Sequence, residues 1–127
     1  MPVTYQIDKR RHLVITEWTG AVTLKEVRAH HAALRADADF DPSMSQLSDA
    51  REAKTVVPSN DLRLLAKESP FGKGSRRAVV GRSDLVFGVS RMYQTLVDPD
   101  GATVGVFRNI REAYDWLGID IEEVAEG

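Results

Sequence analysis

Arg77-Ala78-Val79-Val80-Gly81-Arg82-Ser83-Asp84-Leu85-Val86-Phe87-Gly88 is the stretch that decides the fold. Ala78-Val79-Val80 is a short continuous apolar run between Arg77 and Gly81, and such runs suit a central strand covered on both faces. Ser83-Asp84 follows at once, a residue that caps a helix and an acid that complements its dipole. Leu85, Val89, Met92 and Leu96 then recur at helical spacing to about residue 97, with Phe87 and Tyr93 flanking. Gly88 inside that helix costs about 1 kcal/mol against alanine, which close backbone packing would explain.

Towards the C-terminus, Asp98-Pro99-Asp100-Gly101 reads as a turn, residues 102–107 as a strand, and Asn109-Ile110-Arg111-Glu112 as a capping box. Ala113, Tyr114 and Leu117 pack inward until Gly118 stops that helix. Towards the N-terminus, Ser69–Ser75 is a loop. Before it Pro58-Ser59-Asn60-Asp61 opens a helix with Ser59 as N-cap and Leu62, Leu65 and Ala66 as its stripe. Residues 44–50 form a weak strand whose strongly apolar positions are Met44 and Leu47. Thr23-Leu24-Lys25-Glu26 caps a helix over about residues 23–37, with Leu24, Val27, His31, Leu34 and Ala38 in register. Val3–Asp8 alternates, and His12–Trp18 pairs with it around a polar turn before Gly20 breaks the chain. The order is β-β-α-β-α-β-α-β-α: an α/β domain with a five-stranded mixed sheet, its first strand antiparallel and the rest parallel.

The 127 residues carry 43% apolar and 28% charged side chains and no cysteine. This is the composition of one globular domain, expected over residues 1–118 with an acidic tail over 119–127. Thiolate metal sites and cysteine nucleophiles are excluded. A net charge of −2 argues against a dedicated nucleic-acid binder. Neither a signal-peptide core nor a membrane-spanning run is present, so a cytoplasmic protein with no integral membrane segment is expected.

The chain resembles the SpoIIAA-like (STAS/SEC14-like) family, in particular its small single-domain bacterial proteins. Phe40-Asp41-Pro42, Gln46–Arg51, Gly74–Val80, Ser83–Gly88, Val106-Phe107-Arg108 and Ala113–Leu117 carry the resemblance. It implies a non-catalytic regulatory domain acting through protein contact, with a protein partner or a second copy of itself. In STAS anti-sigma-factor antagonists a phosphorylated serine begins the helix after the third strand. The matching residue is Ser59, with Pro58 where that motif has aspartate and no glycine after it.

The residues themselves suggest an alternative. Open α/β sheets bind ligands beyond the carboxyl ends of their strands. Asp49, Arg51, Arg82, Ser83, Arg108 and Asn109 are expected there, as contacts for a small anionic or lipid-like ligand. Against this, Ser83 and Asn109 cap helices and Arg51 can pair with Asp49. Phe87, Met92 and Tyr93 exceed what one helix face buries and are interface candidates. No cofactor is expected. Glu26 and His30 read as a helix-face pair and His31 as a boundary residue, without a third ligand for a metal. Gly72-Lys73-Gly74-Ser75 lacks the spacing of a phosphate loop, and no motif nominates a catalytic acid and base.

Overall fold

β1 (Val3–Asp8) and β2 (Leu13–Ala21) form the predicted antiparallel hairpin, with Tyr5 opposite Thr16. The computed structural model describes residues 3–55, 57–97, 101–120 and 122. After the hairpin come α1 (Leu24–Ala36), β3 (Ser45–Thr55), a 3₁₀ turn (Ser59–Asp61) and α2 (Leu62–Glu68). β4 (Arg76–Val80), α3 (Asp84–Leu96), β5 (Thr103–Phe107) and α4 (Ile110–Leu117) complete the order. The sheet runs β1-β2-β3-β4-β5, and β2 to β5 are mutually parallel. This is the α/β mixed sheet that the sequence predicts.

Each crossover steps one strand in the same direction, and crossovers of one hand then fall on one face. α1, α2 and α3 share a face: α1 touches α2, α2 touches α3, and α3 reaches β3 and β5. α4 covers β3, β4 and β5 from the other side. Because side chains alternate along a strand, Leu13, Leu47, Ala78 and Val80 face α4, where Ala113 and Tyr114 close an apolar core. Val14, Leu34, Met44 and Phe71 form a second core, and Val27, Val57 and Leu65 a third.

Several expectations need correction. β2 does not end before Gly20; it runs through that residue, whose φ is +63°, and stays paired with an extended β3 through two register irregularities. Arg51, Glu52 and Lys54 look like loop residues but belong to this two-stranded extension. In α3 the inward residue is Val86, and Leu85 and Met92, placed in the buried stripe by periodicity, are exposed. Gly88 is exposed and a Cβ there would meet nothing within 4 Å, so close packing does not explain it. Gly81 is different: a Cβ would lie 2.8 Å from Val86 Cγ1 and 3.2 Å from the Phe87 nitrogen, where β4 turns into α3. Ser59 is not an N-cap; Pro58 precedes the 3₁₀ turn, and α2 begins after Asp61 with no side-chain cap. Most of the turn predicted at residues 98–101 and of the tail at 119–127 lies outside the described residues, although Ile119 packs against the α4 core.

Candidate functional site

Of the residues expected at the carboxyl border, Arg82, Ser83, Arg108 and Asn109 follow β4 and β5 there, whereas Asp49 and Arg51 lie within β3, which continues to Thr55. Arg82 and Arg108 are neighbours, since Arg108 Nη1 donates to the Arg82 carbonyl at 3.3 Å, and Arg82 reaches Glu52 beside Arg51. Each guanidinium already faces a carboxylate of this chain. Arg51 grips Asp49 through Nε (2.9 Å) and Nη2 (2.8 Å), a two-point contact that raises its pKa above the ordinary value. Arg82 lies 3.3 Å from Glu52, and Arg108 lies 2.8 Å from Asp84 while stacking on the Phe87 ring. Ser83 and Asn109 accept backbone N–H bonds at the starts of α3 and α4. These residues thus have much of their hydrogen-bonding capacity engaged within the chain.

A second polar constellation lies between the sheet and the three helices. Arg77 is 7% exposed, on the strand face that carries Val79. Its Nε donates to Gln46 Oε1 at 3.0 Å, and its Nη1 to Tyr93 Oη at 2.8 Å and to Ser69 Oγ at 3.3 Å. Its guanidinium also stands over the Phe71 and Tyr93 rings. No acidic side chain pairs with it among the described residues.

The bonds beyond Arg77 have a direction. Arginine only donates, so Gln46 must present its oxygen to Arg77 and its nitrogen to Thr16 Oγ1, 3.0 Å away. Thr16 Oγ1 in turn lies 3.2 Å from His30 Nε2, so the chain of bonds reaches the imidazole. Tyr5 and Trp18 stack around that imidazole. His30 and His31 are 4% and 5% exposed, so neither is the surface or boundary residue the helix pattern suggests. Glu26 instead turns to Thr23, donating its backbone N–H to Thr23 Oγ1 and accepting from that hydroxyl at 2.8 Å. Burial, and then the Arg77 charge, lowers both histidines to about 4. Among the described residues no cluster of acids and histidines could hold a metal.

Beside this chain of bonds is an open groove of about 140 Å³ between α2 and α3, floored by β3 and β4. Ala50, Ala53, Val57, Leu65 and Val86 give it an apolar lining, and Arg77, Ser48, Ser90 and Tyr93 give it polar points. Ser48 accepts from the Trp18 indole N–H at 2.8 Å. The sequence held a signal for Arg77: on a strand covered on both faces, the residue two before Val79 must be covered too.

The outer surface of the same helices is apolar in places. Leu64 of α2 is 37% exposed, and Leu85 and Met92 of α3 are 55% and 48% exposed. Phe87 is half-buried beneath Arg108. Tyr93, an interface candidate by composition, turns inward to Arg77.

No family model matches the chain, and no curated protein matches it. Among solved structures it is similar to an uncharacterised protein of the DUF3478 family from Shewanella loihica PV-4, which has a SpoIIAA-like fold. The two are 20% identical, and the match covers 91% of this chain and 93% of that chain with a TM-score of 0.62. The strand order, the antiparallel first strand and this superposition give the chain a SpoIIAA-like fold.

Proposed function

We propose that the chain is a small non-catalytic regulatory module of STAS-like type, working by protein contact through α2 and α3 with Ser59 as its switch. One observation carries the reading. The large apolar side chains most exposed among the described residues, Leu64, Leu85 and Met92, all stand on these two helices. Arg63, Lys67 and Arg91 are exposed on the same helices and make no ion pair among the described residues. Apolar centre and basic rim together fit a protein segment with an apolar face bordered by acids.

Ser59 is exposed at the first position of the 3₁₀ turn that leads into α2, and its side chain caps nothing. A phosphate there would bring a charge of about −1.5 to −2 beside the basic rim and repel an acidic partner. An anion site at Arg51, Arg82 and Arg108 has weaker support, because a ligand would have to displace Asp49, Glu52 or Asp84. No helix among the described residues is long and apolar enough to cross a membrane.

Site-specific photocrosslinking in cells tests the proposal. Probes at positions 64, 85 and 92 are expected to capture one discrete protein, or a second copy of this chain, that a probe at Glu112 on α4 does not capture. Leu85→Asp with Met92→Asp should abolish the product, and Ser59→Asp should weaken it. Equal capture from α4, or capture indifferent to both changes, would sink the reading.

A further inference from the structure

We infer that the groove between α2 and α3 is a binding site for a small monocarboxylate with an apolar body, held by Arg77. The inference starts from an imbalance. A guanidinium has five N–H donors. Here Nε and Nη1 are engaged by neutral acceptors, whereas Nη2 makes no hydrogen bond among the described residues and is not one of the fully occluded polar atoms. A buried cation that faces only uncharged acceptors keeps its full charge without a counter-ion, a costly state that an arriving anion relieves.

The groove that Arg77 lines supplies the remaining requirements. Its walls are aliphatic, so an uncharged alkyl or aryl body is favoured over a sugar or nucleotide. A volume of about 140 Å³ is close to that of apolar cavities that accept benzene. One guanidinium charge balances a monoanion rather than a phosphate dianion, and the Ser48 and Tyr93 hydroxyls, which accept from Trp18 and Arg77, keep their own protons for the carboxylate. Ala50 and Ala53 leave the floor low where a larger side chain would fill it. This site is separate from the outward-facing Leu85 and Met92.

Isothermal titration with benzoate and with benzyl alcohol, which has the ring without the charge, tests the inference on the full chain. Benzoate is expected to bind more tightly by about tenfold or more, the usual weight of a charged hydrogen bond. Arg77→Met should erase that preference while keeping the affinity for the ring, and Ala53→Phe should remove both. Should Arg77→Met fail to fold, Ala53→Phe and the wild-type comparison decide alone. Leu85→Asp should leave benzoate binding unchanged, so the groove and the proposed protein contact stand or fall separately. No benzoate binding up to about 10 mM, equal affinity for acid and alcohol, a preference that survives in folded Arg77→Met, or binding that survives Ala53→Phe would each overturn it.

Discussion

The two faces of the sheet are built on different principles. Beneath α4, Leu13, Leu47, Ala78, Val80 and Ala113 make a largely apolar core, with the Tyr114 hydroxyl and the Asp49–Arg51 pair at its edge. Beneath α1, α2 and α3, the same strands bury Thr16, Gln46 and Arg77, and α1 adds His30 and His31. Apolar side chains of matching shape would fill that second face at lower energetic cost. The fold thus keeps a chain of hydrogen bonds and an open groove on one side, and a largely apolar core on the other.

The contrast can be broken by measurement. The largest effect is expected on the apolar face: Leu47→Ala should lower unfolding free energy by about 3 to 4 kcal/mol in urea titrations. A loss below 1 kcal/mol would mean that this face is not the main core. Next is acid sensitivity on the polar face. An unfolded histidine takes up a proton near pH 6.5, whereas His30 and His31 resist until about 4. Protons therefore favour the unfolded chain, so stability is complete above about pH 6.5 and falls as the pH drops towards 4. By pH 5 the loss is about 2 kcal/mol for each histidine. Urea midpoints of His30→Phe and His31→Leu should show a flatter pH profile than wild type.

Gly88→Ala should raise stability by about 1 kcal/mol, because α3 gains helix propensity and the new methyl meets open space. No gain in the urea midpoint would point to a hidden constraint on that face. The smallest effect sharpens the electrostatics. Removing the guanidinium in Arg77→Met should move both histidine pKa values upward in an NMR titration, while burial still holds them below the ordinary value. Unmoved values would separate Arg77 from the histidines.

Local signals carried the architecture well. The Ala78-Val79-Val80 run and the Ser83, Asn109 and Thr23 caps each reflect short-range chemistry, and each appears where the residues place it. What failed required knowledge of the neighbours. In α3 two apolar stripes compete, one through Leu85 and Met92 and one through Val86 and Tyr93, and the packing of α3 against β3 selects the second. Hydropathy alone favours the first. The strand pattern implies that Arg77 is covered but not by what, since Phe71 and Tyr93 arrive from distant segments. The groove likewise exists only once α2 and α3 converge on β3, so no single stretch of sequence announces it.

The uninterrupted strand order has a consequence for how the molecule comes into being. α4 is the last of the described elements to leave the ribosome, and among them it is the helix that covers the apolar side of the sheet. Until it emerges, Leu13, Leu47 and Val80 have no helical cover, and a nascent chain in that state is exposed to self-association. The face that holds the groove is thus assembled first, and the apolar face is covered only once α4 emerges.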